Sequence, residues 1–508
     1  MHTQPVTPAP GPAKIQAWSL WLNVCLGVLA VLAAGVYYQQ ALPRTAYPYD
    51  LDFIEDAMLL QAWRVAEHQP VYLPPNADFA PQVYMPLYTW LGGWLFRLTG
   101  PAFWPLRGLS LAATTVIALL LVTLGRRVGA GWAVTWAGAG LFLAGYRLNG
   151  GWYELARVDT LYVALALGGM TVAIFGRNPT RRLLLAGLLL ALSTLTKQNA
   201  LFLGLVLGVY LLWVEGGRAW RYWLLFLGLT GSVAAWQQLS THGWFSYYVI
   251  HIAYASPVEL GRVWASLRRE FLGAMGILTL GWLGGSLFWL LRSDRRAHPW
   301  PLFIGAALFV SLSGRASVGG NLNNLIPGYA FLCLAPALVA ADCRRLSARR
   351  QAWVLPALTV ALVGQFALTL VNPMRGYTPA QFRPTPAMRA AGDALVARLR
   401  QVDGDVWVML HPFYALLAGK APGVHIQTLW HARERGELPL PDDLAARLHD
   451  RAYALIISDD TYYFERDPAL LALLNATYQV VGTLPADESP PTLSGVRVRP
   501  KLIYAPRP

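Results

Sequence analysis

The sequence predicts an α-helical multi-pass membrane protein that carries a small α/β domain near its C-terminal end. Three observations predict this fold class. Of the 508 residues, 55% are hydrophobic and only 13% are charged, whereas roughly a quarter of the residues of a soluble protein are charged. Long apolar runs recur between residues 18 and 371, and beyond about residue 375 short strand-like and helix-like segments alternate.

Most of the apolar runs approach or exceed the roughly 20 residues that a helix needs to cross a bilayer. The first run lacks a small-x-small cleavage site, so we expect a retained first span. The run 183–215 is too long for one span and divides at Thr196–Asn199, which predicts a tight hairpin. The apolar runs lie at residues 18–36, 105–124, 131–146, 159–176, 183–215, 221–236, 271–291, 299–313, 324–341 and 351–371.

Arginine clusters predict the orientation of these spans, because positively charged loops stay on the cytoplasmic side. Placing every cluster inside predicts about eleven spans, with the first loop (39–104) on the outside. Within this loop, the apolar segment 84–98 is short and rich in tryptophan, so we interpret it as an interfacial helix or a partial re-entry. The arginine clusters lie at residues 126–127, 177–182, 218–221, 292–296 and 344–350. The other segments placed outside are 147–158, 196–199, 240–270, 314–323 and everything after about residue 373.

The C-terminal part of the chain is predicted to form a separate extracytoplasmic domain, residues 373–508, after a membrane domain, residues 1–372. Strand-like segments alternate with helix-like ones in this region, which predicts a small α/β domain. The strand-like segments are 405–410, 453–458 and 478–484, and the helix-like segments are 387–402 and 441–450.

Charge, cysteine usage and motif content exclude several classes of function. The net charge of +14 does not indicate a nucleic-acid partner, because much of the excess is arginine in short loops between spans. Cys25, Cys333 and Cys343 lie in or beside apolar runs and suggest neither a disulfide framework nor a metal site. The sequence contains no P-loop, no HExxH zinc motif and no GxSxG nucleophile elbow.

Unusual polar side chains collect on the predicted outer face, at the ends of apolar spans. Such groups are costly there unless they are paired or hydrated, so they are candidates for function. The first loop contributes four acids, Asp50, Asp52, Glu55 and Asp56. The remaining candidates are Glu154, Arg157, Asp159, Lys197, Gln198, Asn199, His251, Arg315, Asn321, Asn323 and Asn324.

Each of these groups also has a purely structural interpretation. Asp52 and Glu55 have the spacing of a capping box at a helix start. Arg157 and Asp159 can pair with each other, and Lys197 can extend its side chain to the membrane interface. His251, among several tyrosines, can be a packing residue, and the segment 314–324 can be a turn with helix caps.

The chemistry that fits the whole set is glycosyl transfer from a lipid phosphate. A carboxylate can take the proton of an acceptor hydroxyl, and cations can hold the phosphate of the leaving group as its charge develops. We expect Asp52 to be the base, with Glu55 as the second choice or as its orienting partner. No cofactor or metal is expected to be required, although the first-loop acids could hold a divalent cation.

Several short motifs follow one another along the chain: Asp52-Phe-Ile-Glu55, Ala66–Tyr72, Tyr84-Met-Pro86-Leu-Tyr88, Arg107-Gly-Leu-Ser, Ala156-Arg157-Val-Asp159, Thr196-Lys197-Gln198 and Gly314–Asn324. This ordered set resembles the GT-C superfamily of multi-pass glycosyltransferases, the class that contains aminoarabinose transferases and protein O-mannosyltransferases. Many members carry glycine after the glutamate of the first motif, whereas this chain has Asp56.

The resemblance implies a polyprenyl-phosphate sugar donor, inversion at the anomeric carbon and catalysis on the extracytoplasmic side. It also implies that the base is a first-loop acid, either Asp52 or Glu55. Arg157, Lys197 and Arg315 are expected to face the donor phosphate. The expected donor and substrate site is completed by Tyr84, Asp159, Gln198, His251, Asn321 and Asn324.

Two other functions remain open from the sequence. The protein could be a membrane transporter or a lipid-linked sugar flippase, since such proteins also carry charges near broken helices. It could also be a noncatalytic anchor for the α/β domain. For the enzyme we expect a bacterial-type inner membrane and contact with membrane lipids. The acceptor would be an unspecified glycan, lipid or protein, and no nucleic-acid partner is expected.

Overall fold

The computed structural model describes residues 12–291, 298–371, 379–459 and 466–508. Long apolar helices form the first two-thirds of the chain. Five of them are long and apolar enough to cross a membrane, or six if one helix pair bent by 98° counts as a single span. The protein is thus an integral membrane protein, while the expected eleven spans and their orientation stay predictions. The arginine cluster at 292–296 and the expected domain boundary at 372/373 lie outside the described residues.

Most helices of the membrane part coincide with the predicted apolar runs, and the others lie in the segments 39–104 and 240–270. They are α1 (Pro12–Ala46), α2 (Ile54–Ala66), α3 (Leu87–Thr99), α4 (Phe103–Arg127), α5 (Trp132–Gly145), α6 (Asp159–Phe175), α7 (Pro179–Thr196), α8 (Ala200–Glu215), α9 (Trp220–Ser240), α10 (Trp244–Ser246), α11 (Leu260–Ser266), α12 (Gly276–Leu290), α13 (Trp300–Ala316), α14 (Ile326–Leu332), α15 (Ala335–Cys343) and α16 (Ala348–Val371). Two π-helical turns, Tyr247–Ile252 and Leu267–Ala274, extend α10 and α11.

The predicted break between residues 196 and 199 is confirmed. Helix α7 ends at Thr196, and Lys197 takes an extended conformation before α8 begins. Helix α7 packs closely on α6. Glycine at position 169 of α6 makes this possible, because a Cβ atom there would lie only 2.2 Å from Leu190 Cδ2 of α7. The run 324–341, expected as one segment, forms two short helices, α14 and α15, on either side of Cys333 and Leu334.

The first loop contains the two helices α2 and α3, which pack against each other. Helix α3 confirms a helix within 84–98, although its position relative to a membrane is still a prediction. The alternative interpretation of Asp52 and Glu55 as a capping box is wrong, because the N-cap residue of α2 is Phe53 and makes no side-chain cap. Instead, the Asp52 carboxylate turns away to an arginine, and Glu55 accepts a hydrogen bond from the Leu51 amide at 2.8 Å.

The C-terminal part forms a four-stranded sheet with helices, as its alternating pattern predicts. The strands lie in the order β1-β2-β4-β3; β1 and β2 are parallel and the other two pairs are antiparallel. The short β4 was not predicted from the sequence. The elements are α17 (Pro386–Gln401), β1 (Asp405–Val408), α18 (Phe413–Leu417), α19 (Ile426–Gly436), α20 (Asp442–His449), β2 (Tyr453–Ser458), α21 (Pro468–Thr477), β3 (Tyr478–Thr483) and β4 (Leu502–Pro506).

The first loop lies between the membrane helices and the α/β domain and shares buried apolar clusters with both. Backbone hydrogen bonds join the loop to the domain: the Val424 amide donates to Ala77 O at 2.9 Å, and the Ser494 amide donates to Leu51 O at 2.8 Å. Because apolar burial and backbone hydrogen bonds act together here, the loop is held on two sides. The acids of residues 50–56 consequently lie at a junction of three parts of the protein.

Candidate active site

An ion pair between the first loop and the start of α6 forms the centre of the site. Arg157 Nη1 lies 2.9 Å from Asp52 Oδ2. Both side chains are almost fully buried, with Asp52 only 1% exposed. Arg157 immediately precedes the N-cap residue of α6, so the helix start directs its guanidinium towards the loop. Charge-assisted hydrogen bonds of this kind are stronger than neutral ones.

A second ion pair continues the network towards the α7–α8 hairpin. Lys197 Nζ lies 2.6 Å from Asp159 Oδ1, and Arg157 Nε lies 3.2 Å from Asp159 Oδ2. Asn323 donates to both oxygens of Asp159 at 3.1 Å, and Asn324 accepts from Lys197 at 3.4 Å. One carboxylate therefore holds two cations side by side, and residues from three separate segments meet here.

Tyr84 and Gln198 lie beside this network in different ways. The Tyr84 hydroxyl accepts from Arg157 Nη2 at 3.2 Å, and Lys197 Nζ lies 5.9 Å from the tyrosine ring centre. Gln198 instead donates to two backbone carbonyls, Val83 O at 2.8 Å and Val249 O at 3.2 Å. Tyr84 thus contacts Arg157 directly and lies near Lys197, whereas Gln198 fixes the hairpin against the first loop.

The environment of Asp52 suits a proton acceptor near neutral pH. Burial raises the pKa of Asp52, Arg157 lowers it and the charge on Glu55 raises it, and the resulting pKa is about 6. Because the ideal pKa of a general base lies near the working pH, this carboxylate can both stay ionised and accept a proton.

Glu55 has a different environment from Asp52 although it lies only three residues away. Arg107 contacts both of its carboxylate oxygens, at 2.8 Å to Oε1 and 2.7 Å to Oε2. The Leu51 amide donates to Oε2 at 2.8 Å, and the Ala156 amide donates to Oε1 at 2.7 Å. With two partners on each oxygen, Glu55 can orient the loop that carries Asp52, which favours the second of its two expected roles.

The remaining predicted residues lie outside the Asp52–Arg157–Lys197 network. Arg315 pairs with Glu270 at 3.3 Å and hydrogen-bonds Gly320 O. Asn321 accepts from the Leu322 amide at 2.9 Å at the start of a 3₁₀ turn. His251 is exposed and stacks on Tyr247, with 5.3 Å between ring centres. These contacts alone give each of the three a local structural role.

The sequence indicated no site residue in the α/β domain, yet His411 of this domain reaches the first loop and Asp459 contacts His411. His411 Nδ1 lies 2.7 Å from Asp50 Oδ2, and His411 Nε2 lies 2.8 Å from Asp459 Oδ2. Burial alone would lower the pKa of His411, but Asp459 and Asp50 together raise it well above its usual range. A signal did exist, because the two residues follow the parallel strands β1 and β2, and the carboxyl ends of parallel strands meet at one edge.

Asn323 was among the functional candidates and Arg107 lay in a sequence motif, but neither was assigned to the expected donor and substrate site. Asn323 is buried against Asp159, and Arg107 is buried against Glu55. A sequence pattern alone cannot choose between Asn321, Asn323 and Asn324, because the irregular turn decides which of them points inward.

No protein-family model matches the chain, and no curated protein matches it by sequence. Solved structures do match its fold. ArnT from Cupriavidus metallidurans bound to undecaprenyl phosphate has a TM-score of 0.58 at 13% identity, covering 94% of this chain and 97% of ArnT. The archaeal oligosaccharyltransferase AglB from Archaeoglobus fulgidus, in complex with an inhibitory peptide and a dolichol-phosphate, has a TM-score of 0.52 at 11% identity. The match covers 92% of this chain and 73% of AglB. The arabinofuranosyltransferase AftD from Mycobacteria has a TM-score of 0.52 at 15% identity, covering 94% of this chain and 39% of AftD.

These three structures belong to the GT-C class of glycosyltransferases. The match extends over almost the whole chain, which includes the α/β domain as well as the membrane helices. The expected resemblance to the GT-C fold is therefore confirmed.

Proposed function

We propose that this protein is an inverting glycosyltransferase that moves a sugar from a polyprenyl-phosphate donor to an acceptor on the extracytoplasmic face. Asp52 is the general base, and Arg157 and Lys197 bind the donor phosphate. The observation that carries the proposal is the position of Arg157. Its guanidinium joins the Asp52 carboxylate, at 2.9 Å, to the Asp159–Lys197 pair, so a base and two cations occupy one buried site.

The two cations suit a phosphate leaving group. Arg157 presents several N–H groups in a plane, which matches phosphate oxygens, and Lys197 adds a compact positive charge. Asp159 holds both cations in place before any donor arrives, and Asn323 in turn donates to Asp159. Preorganised cations stabilise a developing negative charge without a further rearrangement cost, which is the largest electrostatic contribution available to such a site.

The fold comparisons support the same class of donor. ArnT binds undecaprenyl phosphate and AglB binds a dolichol-phosphate in the solved complexes that match this chain. A lipid tail can lie between apolar helices while its phosphate reaches the polar end of a span. The site residues follow the ends of apolar segments in this way, because Asp159 begins α6 and Lys197 follows α7.

In the proposed reaction, Asp52 takes the proton of the acceptor hydroxyl. The acceptor oxygen then forms a bond to the anomeric carbon from the side opposite the phosphate. The bond between that carbon and the phosphate oxygen breaks, and its electron pair leaves with the lipid phosphate, which Arg157 and Lys197 hold. One displacement of this kind inverts the anomeric configuration, and the acidic proton remains on Asp52 until solvent removes it.

The predicted orientation places this chemistry outside a bacterial-type inner membrane. The arginine-rich loops favour the cytoplasmic side, so the first loop and the α/β domain would lie together on the other side. Their extensive packing agrees with that placement, since the loop and the domain share two buried clusters. The domain is then positioned to contact the acceptor, which could be a glycan, a lipid or a protein.

The proposal is tested by measuring sugar transfer from a panel of radiolabelled polyprenyl-phosphate sugars in membranes that contain the protein. We expect membranes with the wild type to transfer sugar from one of these donors. Membranes with an equal level of folded Asp52→Asn should lose most of this transfer. Full activity of Asp52→Asn would refute the base assignment. Absence of transfer from every donor, together with alternating accessibility of cysteines engineered along 183–215, would instead support a transporter.

A further inference from the structure

A second polar cluster lies where the first loop meets the α/β domain, and the proposed transfer reaction does not use it. Asp50 and Asp56 come from the first loop, and His411 follows β1. One donor atom from each of the three residues lies within 4.8 Å of the other two, and all three side chains are buried. His411 and Asp56 are each 0% exposed.

Asp56 is the residue that points to a missing ligand. Neither of its carboxylate oxygens makes a hydrogen bond of ordinary distance and angle within the described part of the chain, although the nearby backbone of Phe413 partly offsets the cost of burying it. A buried carboxylate without a partner is costly, and buried charges in proteins are normally paired or bound to a metal. Because Asp56 faces Asp50 and His411, the absent partner would have to lie among these three side chains.

Residues next to the cluster hydrogen-bond to Asp50 and His411, as residues behind the ligands of a bound metal do. Asp459 contacts His411 Nε2 at 2.8 Å, and His411 Nδ1 contacts Asp50 Oδ2 at 2.7 Å, a hydrogen bond that a bound cation would replace. Tyr414 donates to Asp50 Oδ1 at 2.8 Å, which leaves Oδ2 on the inner side. A carboxylate that holds the far nitrogen of a histidine is the usual arrangement behind a metal-bound imidazole.

The charges also favour a cation. Asp50, Asp56 and Asp459 bring three carboxylates into one buried region, and His411 can supply only one positive charge. A divalent cation between Asp50 and Asp56 would balance both of its carboxylate ligands, while Asp459 would remain hydrogen-bonded to the imidazole. One nitrogen and two oxygen donors suit Zn²⁺, and Mn²⁺ is accepted by similar donors.

We propose that Asp50, Asp56 and His411 bind a divalent transition-metal cation, for which Zn²⁺ is the best fit, and that this cation fastens the α/β domain to the first loop. The site joins a residue that follows β1 to both sides of the segment that carries Asp52. Three protein ligands leave at least one coordination position for another ligand. The proposal does not depend on the transfer reaction, because metal binding is measured without a sugar donor.

The test uses the purified full-length protein in detergent, stripped with EDTA and dialysed. Metal content is measured after incubation with ZnCl₂, MnCl₂ or MgCl₂ and removal of the excess, and the thermal unfolding midpoint is measured in parallel. We expect about one Zn²⁺ per chain and a higher midpoint with Zn²⁺ than with EDTA. Mg²⁺, which prefers oxygen donors in octahedral geometry, should have little effect.

Two variants identify the ligands. Asp56→Asn and His411→Gln each replace a proposed ligand with a side chain of similar size. Loss of a residue that only orients a ligand weakens metal binding by roughly 10- to 100-fold, so loss of a ligand should weaken Zn²⁺ binding by more than this. The matched control is Asp78→Asn. It removes a first-loop carboxylate that pairs with Arg447 of the α/β domain, and this variant should bind Zn²⁺ like the wild type.

Equal Zn²⁺ content in the wild type and Asp56→Asn would overturn the proposal, as would a wild-type midpoint that Zn²⁺ leaves unchanged. The second measurement needs no variant, so the proposal stays testable if a variant fails to fold. Loss of sugar transfer in Asp52→Asn with normal Zn²⁺ binding would leave this proposal intact, and the two proposals can fail separately.

Discussion

Arg107 uses all five of its guanidinium N–H groups to fix Glu55 and the segment before it. Two groups contact Glu55, at 2.8 and 2.7 Å, and the others contact the carbonyl oxygens of Arg44, Tyr47 and Tyr49 at 3.0, 2.6 and 2.6 Å. Asp52, three residues before Glu55, has a single ion-pair partner among the described residues, Arg157. Under the proposed function, Glu55 therefore holds the shape of the first loop, and Asp52 is the acid that exchanges its partner for a substrate.

Replacing Glu55 with glutamine should destabilise the protein more than it changes the chemistry. The variant leaves the buried Arg107 without its counter-charge, and breaking a buried pair costs about 3–5 kcal/mol. The measurement is the thermal unfolding midpoint in detergent, with Glu434→Gln on the exposed side of α19 as the control. A midpoint equal to that of the wild type would show that the Arg107–Glu55 pair is not structural.

Replacing Asp52 with asparagine should remove most of the activity while the protein stays folded. Loss of a general base lowers rates by about 10²- to 10⁴-fold. The rate is measured with the donor identified from the radiolabelled panel, and the unfolding midpoint is recorded for the same sample. Asp442→Asn, at an exposed position of α20, is the control. The base would have to be sought elsewhere if the Asp52 variant kept more than half of its rate.

Replacing Lys197 with glutamine should weaken binding of the donor phosphate. A hydrogen bond to a charged group contributes about 1.5–3 kcal/mol, which corresponds to roughly a 10- to 100-fold rise in the KM for the polyprenyl-phosphate sugar. Lys420→Gln is the matched control, because Lys420 donates to the carbonyl oxygens of Val402 and Gly404 in the α/β domain, away from the candidate site. Equal donor KM values for the two variants would contradict the phosphate-binding role.

Replacing His251 with alanine should change the transfer rate by less than about twofold, since an exposed surface contact contributes little. The imidazole is exposed and stacks on Tyr247. Tyr84→Phe provides the contrast, because it removes the hydroxyl that Arg157 contacts at 3.2 Å. Rates measured at saturating and limiting donor would separate the two variants. A large loss with His251→Ala would return this residue to the substrate site, as the sequence suggested.

His425 makes the stability of the protein depend on pH. Burial lowers the pKa of His425 from 6.5 to about 4 in the folded protein, where Nε2 lies 3.0 Å from Phe53 O. The unfolded chain therefore binds a proton at higher pH than the folded chain does. The contribution of neutral His425 to the free energy of unfolding is complete above about pH 6.5 and is lost as the pH falls towards 4. The size of this contribution is of order 3 kcal/mol.

The effect of His425 is measured by comparing the unfolding midpoint at neutral and mildly acidic pH for the wild type and His425→Gln. Glutamine can donate to Phe53 O but does not titrate, so its midpoint should fall less on acidification. If both proteins lost the same amount, the titration of His425 would not contribute. Any remaining pH dependence in the variant reports the other buried groups.

The sequence by itself determined the type of each large element. Long apolar runs predicted the membrane helices, because a bilayer requires about 20 apolar residues per span. Alternation predicted strands β1, β2 and β3, and the polar break at 196–199 predicted the α7–α8 hairpin. It also identified Asp52, Arg157, Asp159 and Lys197 as candidates, since charges are rare at the ends of apolar segments.

Tertiary structure decided which of these charges are neighbours and what each one does. The spacing of Asp52 and Glu55 also allowed Asp52 to cap a helix, but its carboxylate pairs with Arg157, 105 positions away. His411 and Asp459 joined Asp50 only because two parallel strands end at the same edge of the sheet. Periodicity and composition report the environment of one segment at a time, whereas an ion pair depends on distance between segments. The sequence therefore determined which groups were available, and packing of the first loop between helices and sheet decided their partners.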